Sequence, residues 1–226
     1  MALTLYIHPL ASFCHKVLIA LYENGTAFHS QTVDFSDTTS ASALLERWPV
    51  GKIPVLHDDA TGRVVPETSI IIEYLQHMYP GPVPLLPHDP EVLLQTRLWD
   101  RFFDLHVSTP MQKIVTDRIR PEGRNDPHGV ADAHAALDTA YGMIEQQMSA
   151  HPWAAGENFT MADCAALPAL FFASIVHPFR TDQTALGDYL DRLLARPSVT
   201  RTLREAKPFF HMFPYRDAMP ARYLAL

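Results

Sequence analysis

The 226-residue chain is 47% hydrophobic, enough to bury a sizeable core, and that composition excludes an intrinsically disordered chain. Lys and Arg number 18 against 25 Asp and Glu, a formal charge of −7 that repels nucleic acid and anionic lipid overall while leaving room for a local basic pocket. Its two cysteines, Cys14 and Cys164, make neither a disulfide framework nor a zinc motif and fit a reducing compartment.

Residues 3–7 read as a short apolar strand, followed by a loop over 8–13. Residues 14–24 carry Val17, Leu18, Leu21 and Tyr22 at helical spacing, and Gly25 stands where a helix C-cap belongs. A second strand is predicted over 27–33 and a helix over 41–48. Residues 54–57 and 63–65 flank a polar loop, 58–62, which predicts a hairpin. A helical pattern over 68–79 stops before Pro80-Gly81-Pro82. The order strand, helix, strand, helix, hairpin, helix suits a small mixed sheet with helices on its faces.

Residues 81–90 are proline-dense and predict a stiff linker between a first domain, 1–80, and a second, 91–226. In the second, strand signals fade. One long helical pattern covers 91–120, bent near Pro110, and others cover 130–149, 160–177 and 185–195. Thr160-Met161-Ala162-Asp163 has capping-box spacing, with Phe159 and Cys164 placed as a hydrophobic staple. The most apolar stretch, 164–176, is too short for a membrane span and reads as a buried core helix. The N-terminal residues show no secretory signal pattern.

Three segments of the first domain carry the chemistry. Ala11-Ser12-Phe13-Cys14-His15-Lys16 lies between a strand and a helix, where free backbone N–H groups and the helix dipole stabilise a thiolate and where Ser12 either caps the helix or donates to a sulfur. In Val50-Gly51-Lys52-Ile53-Pro54-Val55-Leu56 a proline at a strand entrance is compatible with a cis bond, which leaves the Ile53 backbone free to pair with an extended peptide, or is an ordinary edge proline. In Pro66-Glu67-Thr68-Ser69 an acid and a hydroxyl at a helix start hold a zwitterion or simply cap the helix.

Together these segments, in this order, resemble the cytosolic glutathione transferases, and the resemblance extends through the Thr160 segment and Ala195-Arg196-Pro197-Ser198-Val199. It implies a thioredoxin-like α/β N-terminal domain followed by an all-α domain, with glutathione as co-substrate. It further implies a homodimer in the cytoplasm. Pro54 would be the cis-proline, Ile53 would pair with the cysteinyl backbone, Lys52 would reach the glycyl carboxylate, and Glu67 and Thr68 would hold the γ-glutamyl group. The family's usual catalytic Ser or Cys falls at Ala11, so Ser12, one residue later, is the expected thiol-activating side chain, ahead of Tyr6. Cys14 stands where redox relatives keep a resolving cysteine, but position 11 holds none, and Cys14 is expected to pack against the sheet.

The implied activity is attack of the glutathione thiolate on a hydrophobic electrophile, with the aromatic tail 207–215 forming part of the apolar wall. The alternatives are a non-catalytic glutathione- or ligand-binding protein, a disulfide reductase, or an isomerase; the Ser-Ser-Cys-Ser-Trp-Arg loop of maleylacetoacetate isomerases is missing. No metal is expected, because none of the 12 histidines lies three or four residues from another. Neither nucleic acid nor a membrane is an expected partner.

Overall fold

The structure, a computed structural model, describes residues 3–225. Alternating side chains set the first element, β1 (Leu3–Ile7): Leu3, Leu5 and Ile7 enter the core, while Thr4 and Tyr6 are half-buried. Then come α1 (Ser12–Glu23), β2 (His29–Thr32), α2 (Thr38–Arg47), β3 (Val55–Asp58), β4 (Arg63–Pro66) and α3 (Thr68–Met78). The sheet order is β2-β1-β3-β4, with β1 and β2 parallel and the other pairs antiparallel. This is the thioredoxin-like arrangement. Because β1 pairs with β3 in the register Tyr6 to Val55, the C-terminal end of β1 lies beside the entrance to β3.

Several boundaries differ from the pattern reading. Helix α1 begins at Ser12, not 14. Helix α2 begins at Thr38, not 41, because the Asp37 side chain accepts from the Thr39 N–H and caps it. Strand β2 is shorter than predicted and exposed along its whole length, as an edge strand. The hairpin is held to α3 by Asp58, which accepts from the Tyr74 hydroxyl at 2.5 Å and the Tyr79 hydroxyl at 2.7 Å.

The rest of the chain is helical: α4 (Pro90–Phe102), a π-helical segment (Phe103–Ser108), α5 (Thr109–Arg118), α6 (Pro127–Ala150), α7 (Met161–Val176), α8 (Thr184–Leu194) and α9 (Pro197–Ala206). Two 3₁₀ turns (Lys207–Met212, Arg216–Ala218) and α10 (Ala221–Leu224) follow. The predicted continuous helix over 91–120 is thus divided. Pro110 has no N–H to give the carbonyl of His106, and the wide π turns sit just upstream of it. Helix α9 escaped the periodicity reading; Pro197 in its first turn starts it directly after α8.

Helix α7 is buried nearly all round and packs against α1 and α4. Its capping box forms both bonds: the Thr160 hydroxyl accepts from Ala162 N at 3.3 Å, and the Asp163 carboxylate accepts from Thr160 N at 2.8 Å. Asp163 also accepts from Ala154 N and from the Tyr189 hydroxyl. At the far end of α1, Glu23 receives a two-pronged pair from Arg196 (2.8 and 2.5 Å) and a hydrogen bond from Ser198. Thr160→Ala is expected to lower stability by about 1 kcal/mol through the lost cap, read as a lower urea midpoint with an unchanged denaturant slope.

Candidate functional site

The register of β1 on β3 brings the loop after β1 against the segment before β3. A cleft of about 1170 Å³ opens at this edge, between the sheet and the helices that follow it. Ser12, Lys52, Ile53, Pro54, Glu67 and Thr68, which come from three separate segments, all line it.

Each segment is held for a local reason. The Ile53–Pro54 bond is cis and Pro54 is buried at the start of β3. Gly51 turns the chain at φ +68°, and a Cβ there would meet the Leu45 side chain at 3.2 Å. Lys52 remains exposed at the rim. At the start of α1 the N-cap is Ala11, which has no capping side chain, so Ser12 occupies the first helical position with its hydroxyl outside any cap. Cys14 N and His15 N both donate to the Ala11 carbonyl, which leaves the N–H groups of Ser12 and Phe13 as the open donors of the first turn. At the start of α3, Glu67 is held at φ 68°, a left-handed conformation that costs a non-glycine residue free energy and turns its exposed carboxylate and the buried Thr68 to the cleft.

Other candidates lie away from the cleft. Cys14 is fully buried, and burial pushes its thiol up to about 12, so it is a packed core residue without thiolate character. Tyr6 does not line the cleft; its ring lies under the Arg47 guanidinium at 4.8 Å and packs with the small cluster around Val33, Leu44 and Val55. Phe102, Phe103 and Met111 are core.

Pattern reasoning missed a polar network beneath the Glu67 corner. The Lys16 ammonium is completely buried, 2.7 Å from Asp100 Oδ1 and 2.8 Å from Asp104 Oδ2. It also donates to Ser69 Oγ (3.0 Å), which in turn donates to Asp100 Oδ2 (2.6 Å). Arg101 reaches Asp104 at 3.1 Å from the cleft side. Burial pulls the Asp104 carboxyl up against the opposing pull of Lys16. No local signal marks these residues, since Lys16 sits within an apolar helical face and Asp100, Arg101 and Asp104 look like ordinary surface charges.

His8 and the wall residues Phe35 and Leu105 were not assigned from sequence. His8, from the loop after β1, lines the cleft beside Ala11. Leu105, half-exposed Phe35 and the tail residues Phe209 and Met212 supply apolar walls, so the expected role of the tail as a wall has a structural counterpart. Among the described residues no group of three or more histidine, cysteine or acidic side chains is arranged to hold a metal, and no helix is long and apolar enough to cross a membrane.

Comparison with known proteins bears on this arrangement. Residues 11–78 match the glutathione S-transferase N-terminal domain family, and residues 127–196 match the glutathione S-transferase C-terminal domain family. A stringent starvation protein A homolog from Haemophilus influenzae is 27% identical over 210 residues, covering 91% of this chain and 92% of its own length. Glutathione S-transferase U19 from Arabidopsis thaliana is 28% identical over 197 residues, 84% of each chain. A solved structure of a glutathione S-transferase from Methylobacterium radiotolerans, in complex with glutathione sulfonate, superposes with a TM-score of 0.76 at 27% identity, over 89% of this chain and 94% of that one.

Replacing Lys16 by Met keeps its volume but leaves Asp100 and Asp104 buried together without their shared cation. Urea denaturation is expected to show a loss of about 3–5 kcal/mol, the scale for breaking one partner out of a buried ion pair.

Proposed function

Since the chain belongs to the cytosolic glutathione S-transferase family, we propose that its cleft binds glutathione and activates the thiol for attack on an apolar electrophile. One observation carries this reading: three segments far apart in sequence place Ser12, Ile53–Pro54 and Glu67–Thr68 on a single cleft. The start of α3, with its free N–H groups and the Thr68 hydroxyl, takes the γ-glutamyl carboxylate, and Glu67 takes the ammonium. The Ile53 backbone pairs with the cysteinyl residue as a short added strand. Lys52 at the rim meets the glycyl carboxylate.

The tripeptide held in this way carries its sulfur toward the start of α1. There the open N–H groups of Ser12 and Phe13, the helix dipole and the Ser12 hydroxyl all favour the thiolate over the thiol. Lowering a thiol by one pKa unit takes about 1.36 kcal/mol, within the reach of one or two added hydrogen bonds. The thiolate attacks an electrophile lodged against Phe35, Leu105, Phe209 and Met212.

A second reading has one specific observation behind it. Ala11 places a methyl group where the family usually has its catalytic side chain, which suits a non-catalytic glutathione-binding protein. Ultraviolet absorbance of a thiolate in the glutathione complex at neutral pH separates the two. A two-cysteine redox cycle is disfavoured by the burial of Cys14 and by Ala11. We also propose a homodimer, supported by exposed Ile70 on α3 and exposed Leu94 and Leu98 on α4, and a cytoplasmic setting, supported by two buried free thiols.

Glu67→Ala is expected to weaken glutathione binding by about 1.5–3 kcal/mol in calorimetry; an unchanged affinity would take Glu67 out of the site. Ser12→Ala is expected to raise the thiol of bound glutathione by about one unit, the worth of one neutral hydrogen bond, and to slow conjugation while affinity stays near wild type. Spectrophotometric titration of the binary complex and single-turnover rates measure the two effects.

A further inference from the structure

His8 is the only imidazole on the cleft wall among the described residues. Its ring is fixed from two sides. The backbone N–H of Leu10 donates to Nδ1 at 3.2 Å, and the Phe209 ring meets it edge to face at 5.3 Å between centroids. With Nδ1 occupied as an acceptor, the neutral ring carries its proton on Nε2. Nε2 has no protein partner among the described residues. Burial in the cleft wall keeps the imidazole below its ordinary pKa, although the nearby Asp34 carboxylate pulls the other way. His8 therefore offers a neutral N–H donor on a cleft wall that also carries Ala11, Ser12, Leu10, Phe209 and Met212.

We propose that His8 is a catalytic residue that hydrogen-bonds, through Nε2–H, to the oxygen of the second substrate, so that the cleft favours α,β-unsaturated carbonyl compounds with an apolar body. This rests on the glutathione reading above. The sulfur lone pair forms a bond to the β-carbon, and the C=C π pair moves toward the carbonyl, placing negative charge on its oxygen. The Nε2–H bond strengthens as that charge grows. The thiol proton is lost to solvent when the thiolate forms. One proton then returns to the α-carbon as the enolate collapses, so the net change is addition of S–H across C=C with no change of oxidation state elsewhere. An alkyl halide develops no oxygen charge and gains nothing from this donor.

The test compares 4-phenylbut-3-en-2-one with 1-iodohexane, each with glutathione, for wild type, His8→Phe and His8→Gln. His8→Phe is expected to reduce kcat for the enone by about 10²-fold, the effect of deleting one oxyanion donor, and to leave the iodide rate unchanged. His8→Gln keeps an N–H donor and is expected to recover part of the enone rate; it carries the test if the Phe variant does not fold. Glutathione affinity and thiolate absorbance are expected to match wild type in both variants. Equal losses on the two electrophiles, no loss on either, or a wild type that turns over the iodide but not the enone would each overturn the role of His8. A wild type that fails to bind glutathione before any electrophile is added would overturn the underlying reading, and the proposal with it.

Discussion

The buried ammonium of Lys16 is the constraint around which the two halves of the molecule are arranged. A lone charge without solvent costs far more than a folded domain can supply, so Lys16 has to find anions where α1 meets the helical half. It finds Asp100 from α4 and Asp104 from the π segment, with Ser69 of α3 completing its shell. Arg101 adds a second cation, so the cluster holds two positive and two negative groups. Four elements are thereby tied at one point, directly under the corner where α3 begins. The Glu23–Arg196 pair fixes the opposite end of α1, so this helix cannot shift along its axis without breaking one set or the other.

That rigidity has a chemical use. The starts of α1 and α3 both face the cleft, and each offers backbone N–H groups whose geometry is set by the helix and not by a flexible side chain. An anionic sulfur at one start and an anionic carboxylate at the other would meet donors already in place. The left-handed Glu67 is consistent with this arrangement: a strained residue persists only where its surroundings over-determine it, and Ser69, locked to Asp100 and Lys16, lies two residues away.

The cleft wall combines two kinds of surface. Glu67, Arg101, Asp104 and Lys52 contribute charge, whereas Phe35, Leu105, Phe209 and Met212 contribute apolar area. The π segment contributes to both, since its wide turns place Asp104 inward on Lys16 and adjacent Leu105 on the open side. Ala11 and His8 line the same cleft. Ala11 puts only a methyl group at the start of α1, and the His8 ring comes from the same loop after β1.

Much of this was legible in the sequence because it depends on short-range rules. A short apolar run marked β1, the polar loop marked the hairpin, and Thr160 with Asp163 marked the start of α7, because capping joins groups only three residues apart. The three glutathione-type segments were readable for the same reason, each being a contiguous run at an element boundary. Tertiary structure alone decided the rest. The register of β1 on β3 brought Ser12 and Pro54 to one cleft, which no local pattern encodes. Lys16 and Asp104 are 88 residues apart, and each alone is indistinguishable from a solvated charge. His8 gained its tautomer and place only when Leu10 turned back on it and Phe209 arrived from the tail. Local propensity specifies which elements form, whereas the solvation of a charge, the tautomer of a ring and the walls of a cleft are set by residues distant in the chain.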